Sequence, residues 1–367
     1  MKISSIKVYQ LDVPLKSKYS LSGGRLHYET LDTTIVIITT DNGLVGVGES
    51  CPWGATYLPA YAKGVRAGIE ELAPHLIGEN PLHLDQINAL MDVMLPGHPY
   101  VKTAIDIACW DILGKHCQLP VYALLGGQLQ PSIALQSSIP TDDTEQMSSY
   151  LALARSEGYR THSCKVGIGV EEDTAQIKHL LEHRLAGEVI TFDVNRAWTV
   201  AEAVAVMNSV QDPTVCFEQP CESLEQCEAV RVLTRNPIIL DESIVTLGDL
   251  VQSQRQNIAQ LIGLKISRVG GLTKARRLRD YCIYHGIRMN IEDVGGTQVS
   301  DSAVMHLAIS TPSRLHRASW NCCRHHEVQL AEVDFEITQG RAYLHDRPGL
   351  GLILDPQHFE HPVAQYG

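Results

Sequence analysis

Four residues able to do chemistry recur at one interval. Asp193 closes the run VITFD, Glu218 the run TVCFE, Asp241 the run PIILD and Lys265 the run LIGLK, at separations of 25, 23 and 24 residues. Each follows a short apolar stretch that reads as a strand. Such an interval is one strand plus one helix, so the side chains return to neighbouring places at the same end of a parallel sheet. Three carboxylates brought together repel, and each raises the pKa of the others unless a cation neutralises them. Oxygen ligands with positions left for water or substrate suit Mg2+ better than zinc, which favours His and Cys. One such acid alone reads as a strand-end or helix-capping residue; three at regular spacing point to a metal centre.

Lys165 ends the preceding candidate strand (HSCK). Counted around a closed eight-stranded sheet, the Lys165 and Lys265 strands are the second and sixth, half a turn apart. The two amines then face each other across the acidic centre. A lysine at its ordinary pKa of about 10.4 is a poor base. Burial and a nearby divalent cation lower it towards the working range. The chemistry open to this set is removal of the proton next to a carboxylate. Its loss leaves a dianion, a charge that a bound divalent cation stabilises more in the transition state than in the ground state. One lysine takes the proton. The other returns a proton on the opposite face, giving racemisation or epimerisation, or assists a leaving group, giving elimination.

These residues need a frame. From Ser132 onward, short apolar runs alternate with amphipathic stretches. Strands are expected at 132–139, 160–167, 189–193, 214–218, 237–241, 261–265, 286–291 and 315–320. Helices fall between them, for example Thr144 to Glu157, Glu171 to His183 and Val200 to Ser209. This alternation implies parallel pairing through right-handed crossovers, and eight units in roughly 190 residues fit a closed barrel. An open doubly wound sheet would want a Gly-rich turn after its first strand, and none is present. Residues 1–125 read as an α+β domain. Its strands are Ile3 to Val13, Thr33 to Thr40 and Leu44 to Glu49, with Asp41-Asn42-Gly43 as a hairpin turn, and 59–117 are helical. The catalytic barrel is expected over 126–330. The tail, 331–367, is expected to return to the first domain.

The formal net charge of −12 excludes the basic stripe a nucleic-acid surface needs. The expected partner is a small-molecule carboxylate. No apolar run of about 20 residues is present, so no membrane span is expected. Neither is a signal peptide, which points to the cytoplasm. The ten cysteines form no CxxC pair and read as buried free thiols.

Asp193-Val194-Asn195, Glu218-Gln219-Pro220, Asp241-Glu242-Ser243 and Lys265-Ile266-Ser267-Arg268-Val269-Gly270-Gly271, with AIDIACWDILGKHCQLPVYALLGG over 104–127, resemble the enolase superfamily in its mandelate racemase and muconate lactonising branch. The resemblance covers essentially the whole chain. It implies an α/β fold, a modified TIM (β/α)7β-type barrel with an N-terminal α+β capping domain. It implies Mg2+ held by Asp193, Glu218 and Asp241, and Lys165 and Lys265 as the acid/base pair. Ser163, Asn195 and Glu242 are expected to support these groups from behind. Cys51-Pro52-Trp53-Gly54-Ala55-Thr56-Tyr57 and Glu218-Gln219-Pro220-Cys221 resemble the members of that branch acting on proline derivatives. The implied reaction is dehydration of cis-3-hydroxy-L-proline to Δ1-pyrroline-2-carboxylate. The alternative is a racemase or 2-epimerase of proline betaine, hydroxyproline betaine or a related amino acid. Tyr57, Asp293 and Trp320 are expected to hold the substrate's ammonium with aromatic faces and a carboxylate. The family resemblance also implies a homo-oligomer, dimer or octamer.

One departure matters. The family pattern on the second strand is Lys-x-Lys, whereas this chain has Ser163-Cys164-Lys165. The missing lysine would add positive charge beside the bound carboxylate. Its loss leaves Lys165 less depressed in pKa and favours dehydration over betaine epimerisation. It is also the feature that favours a third reading, a catalytically inactive small-molecule-binding barrel. Asp106 and Asp111 read as structural, and Arg324-His325-His326 as a solvated cluster.

Overall fold

The computed structural model describes all 367 residues. Eight parallel strands form a closed barrel: Ile133–Ile139, Thr161–Lys165, Val189–Asp193, Cys216–Glu218, Ile238–Leu240, Leu261–Lys265, Arg288–Glu292 and His316–Trp320. The last pairs with the first through Ser319↔Leu135 and Trp320↔Gln136. α-Helices follow each of the first seven strands. The eighth is followed only by the 3-10 turn Cys322–His325. This is the (β/α)7β barrel expected from the sequence. Helix starts are set locally by capping boxes, Thr199 with Glu202, Ser223 with Gln226 and Thr246 with Asp249.

The fourth and fifth strands are shorter than their apolar runs. Gln219 leaves the fourth in the left-handed region, at φ 36°. Its side-chain oxygen accepts from the amides of Asp241 at 3.0 Å and Ser243 at 3.2 Å. The Asp241 amide is thereby taken out of the strand ladder, and the fifth strand ends at Leu240.

Before the barrel lies an antiparallel sheet in the order Ala364–Tyr366, Ile3–Leu21, Leu26–Thr40, Val45–Ser50. Helices Ala62–Leu76, Leu84–Met94 and Pro99–Cys117 accompany it. The first strand runs on to Leu21, past the expected Val13, with a register slip between Pro14 and Tyr19. Pro14 and the polar Lys16-Ser17-Lys18 hide that extension from a reading of alternation. The VGVG sequence of the third full strand is explained by packing. The 99–117 helix lies so close that a Cβ on Gly48 would stand 1.8 Å from the Ala104 carbonyl oxygen. Two hydrophobic cores result, one inside the barrel's helical shell and one between this sheet and its helices.

Asp106 and Asp111 tie that helix to its surroundings. Asp106 accepts from the Thr273 amide at 2.9 Å and from Asn88 at 2.6 Å. Asp111 accepts from the amides of Val47 at 3.0 Å and Leu350 at 2.8 Å, and pairs with Lys115. Asp111→Ala leaves two buried amides without acceptors. The expected cost is about 2–5 kcal/mol, measured as a lowered unfolding midpoint. An unchanged midpoint contradicts this tethering role.

No cysteine is in a disulfide, and eight of the ten are buried. No helix is long and apolar enough to cross a membrane. Arg324-His325-His326 is not the solvated cluster expected. His326 is buried, bridging to Leu15, and His325 packs edge-on against Tyr19. The absence of an eighth barrel helix lets this short turn fold back under the first strand.

Candidate active site

The barrel strands deliver their last residues to one cavity. Lys165, Asp193, Glu218 and Lys265 line it, with Gln136, Ser138, Ser163 and Glu292. Tyr19, Trp53 and Tyr57 from the N-terminal domain, and Trp320 from the eighth strand, complete its wall. Parallel pairing sets the neighbours: Lys165 lies opposite Asp193, Asp193 opposite Glu218, and Lys265 opposite Glu292. Asp241, fully buried, sits just beyond the fifth strand. Room for it comes from Gly263, where a Cβ would meet an Asp241 oxygen at 2.6 Å.

Glu218, Asp241 and Glu292 each offer a carboxylate oxygen, and these oxygens lie within 4.8 Å of one another. Asp193 adjoins Glu218, with one oxygen on the Lys165 amine and the other accepting from the Asn195 amide at 3.0 Å. Lys265 stands 3.1 Å from Asp241, which also pairs with the buried Arg268. Burial pushes the Glu218 carboxyl well above its ordinary range, and the facing charges of Asp193, Asp241 and Glu292 push it further. Burial also opposes ionisation of Asp241, but Arg268 and Lys265 outweigh it and hold that carboxyl well below the ordinary range. A buried acidic centre of all-oxygen donors, in which Glu218 faces three other carboxylates, fits a hard divalent cation.

The two lysines occupy opposite walls, four strands apart in a ring of eight. Burial by itself would lower both. For Lys165 the charges of Asp193 and Glu218 overcome it and hold the amine well above its ordinary value. Asp241 and Glu292 do the same for Lys265. The downward shift anticipated from burial is therefore reversed by the carboxylates, whose own charge has to be neutralised first.

Other expected residues divide. Ser163, Asn195, Tyr57 and Trp320 line the cavity. Glu242 lies behind it, accepting from the Tyr57 hydroxyl at 2.7 Å and the Asn195 amide group at 3.3 Å. Asp293, expected at the rim, does not line the cavity. Its carboxylate accepts from the amides of Val294 at 2.7 Å and Ser267 at 3.2 Å. Strand alternation is the reason. Asn290 reaches the buried Arg317 inside the barrel, so Glu292, two residues on, also points in and Asp293 points out.

Glu292 was missed by sequence reasoning. Spacing puts an acid here, one strand–helix unit beyond Lys265, but does not choose between Glu292 and the adjacent Asp293. Gln136 holds it from the first strand at 3.2 Å. Tyr19 was missed as well. It bonds Ser138 and meets Trp53 edge-on at 5.3 Å, while Trp53 stands 6.1 Å from Trp320. Together they make an aromatic part of the same cavity's wall.

Comparison with known proteins agrees with this geometry. Residues 5–126 match the family described as mandelate racemase / muconate lactonizing enzyme, N-terminal domain, and residues 146–358 match the enolase C-terminal domain-like family. The chain is 42% identical over 367 residues to cis-3-hydroxy-L-proline dehydratase of Roseibium aggregatum, covering 100% of both chains. It is 29% identical over 315 residues to N-succinyl-L-Arg/Lys racemase of Bacillus cereus, covering 84% of this chain and 85% of the racemase. A member of the enolase superfamily from Roseovarius nubinhibens, solved in complex with magnesium, superposes with a TM-score of 0.94 at 44% identity, covering 100% of this chain and 99% of the other. On both domain matches and full-length similarity, the chain belongs to the enolase superfamily, in its mandelate racemase/muconate lactonizing branch.

Proposed function

We propose that this protein is a Mg2+-dependent lyase that dehydrates cis-3-hydroxy-L-proline to Δ1-pyrroline-2-carboxylate in the barrel cavity. The carrying observation is the pair of lysines on opposite walls of one small cavity, beside a buried acidic centre. The full-length similarity to the Roseibium aggregatum dehydratase selects the substrate.

Asp193, Glu218 and Asp241 are the residues that would hold the cation, with Glu292 facing them. When bound, the cation supplies positive charge to offset the charge that develops on the substrate carboxylate as the α-proton leaves. The same charge would offset the carboxylates that now hold the lysine pKa values up, and so bring an amine towards a basic range. The lysines do the proton work. In cis-3-hydroxy-L-proline the α-hydrogen and the hydroxyl lie on opposite ring faces. One lysine takes the α-proton as the other protonates the departing hydroxyl, so water leaves in an anti elimination. The resulting enamine tautomerises to the cyclic imine. Trp53, Trp320 and Tyr19 present aromatic faces to the ring ammonium. Ser163, in place of the family's lysine, leaves this wall less cationic, which suits a substrate with its own ammonium.

The racemase relatives keep a second reading in view, epimerisation at the same carbon. Product analysis separates the two. With cis-3-hydroxy-L-proline the expected product is the cyclic imine with loss of one water. Inversion at the α-carbon of a proline betaine, with no imine formed from the hydroxyproline, overturns the dehydratase reading and supports the epimerase.

A further inference from the structure

The cavity's outer wall includes Trp53 and Tyr57, on a segment, 51–60, that contains no helix or strand. It has one internal main-chain bond, the Gly54 amide to the Pro52 carbonyl, and Thr56 ties it to Tyr28 of the N-terminal sheet at 3.0 Å. Cys51, Trp53, Tyr57 and Leu58 bury their side chains in the N-terminal core, and one barrel side chain reaches the segment's main chain. The Arg196 guanidinium donates to the Tyr57 main-chain carbonyl, the one hydrogen bond from the barrel to this segment's main chain. The guanidinium also lies over the Tyr57 ring, 5.4 Å from its centroid. It pairs with Glu222 at 3.0 Å and stands 3.8 Å from Glu242. Glu242 in turn accepts from the Tyr57 hydroxyl. Arg196 therefore grips Tyr57 at its carbonyl and ring face, while Glu242 grips its hydroxyl.

The backbone under Arg196 is unusual in the same sense. Asn195 and Arg196 are successive non-glycine residues in the left-handed region, at φ 46° and 65°. They follow the third barrel strand, which ends at Asp193, with only Val194 between. The Arg196 amide bonds the Gln219 carbonyl at 2.9 Å, which anchors the turn. The strained turn carries Arg196 outward to the segment while Asn195 stays in the cavity wall.

We propose that Arg196 is a positioning residue that clamps the 51–60 segment shut over the reaction cavity. Its value for turnover rests on the function proposed above; the clamp itself does not. The clamp couples the segment to the strand end that bears Asp193.

The test is amide hydrogen exchange on the full-length Mg2+-loaded enzyme and its Arg196→Ala and Arg196→Lys variants, read alongside steady-state kinetics. Loss of a charged hydrogen bond is expected to speed exchange of residues 54–60 by about tenfold or more in Arg196→Ala, with the barrel strands unchanged. Arg196→Lys keeps a donor for the Tyr57 carbonyl and restores part of the protection. KM should rise by about tenfold in Arg196→Ala with kcat within about threefold of wild type. Unchanged exchange at 54–60 overturns the clamp. So does exchange that rises evenly across the barrel, which marks a general stability role, or a local rise with no change in KM. If wild type fails to turn over the hydroxyproline, the function reading falls, and the exchange comparison still decides the clamp.

Discussion

Replacing Lys165 with alanine should lower kcat for dehydration by about 10²–10⁴-fold, the usual worth of a positioned acid or base. Lys265→Ala should do the same, because anti elimination needs a proton taken on one ring face and given on the other. Neither change should cost much in folding. Both lysines end on the cavity and are 9% exposed as residues, and in the Mg2+-loaded enzyme the cation's charge would offset the carboxylate that each leaves without its ion pair. The loss is expected chiefly in kcat, since the proton moves only in the transition state, while ground-state binding rests on the acidic centre and the aromatic wall. Stopped-assay kinetics on each variant, with far-UV circular dichroism and Mg2+ titration to confirm fold and centre, checks this. A Lys165→Ala enzyme matching wild type refutes the acid/base assignment. Absence of turnover in wild type itself would instead leave the protein as a barrel that binds a carboxylate without acting on it.

Much of this site was legible because barrel geometry converts a sequence interval into a place. Asp193, Glu218, Asp241 and Lys265 each close an apolar run one strand–helix unit after the last, and Lys165 and Lys265 fall four strands apart. What was not legible depends on details that spacing does not carry. The choice between Glu292 and Asp293 turns on which of two adjacent residues points inward, and the expected strand ended one residue too early to decide it. Tyr19 lies past a register slip, on a stretch whose lysines and serine mask the strand. Arg196 follows Asp193 by three residues, yet nothing in its neighbours predicts two successive left-handed residues or a partner 139 residues away. The contacts between domains are the least visible in sequence, and they supply the aromatic wall.

Removing divalent cations should abolish proton chemistry at the α-carbon. Burial and three neighbouring carboxylates already push the Glu218 carboxyl up, so the site cannot take on a substrate carboxylate without a compensating charge. Loss of that charge forfeits several kcal/mol of transition-state stabilisation, about 10³-fold or more in rate. The decisive measurement is α-hydrogen exchange in deuterium oxide with cis-3-hydroxy-L-proline and L-proline, before and after exhaustive EDTA treatment and after adding Mg2+ back. The expected result is exchange that vanishes on chelation and returns with Mg2+. Exchange that persists in the metal-free enzyme contradicts the account at its centre.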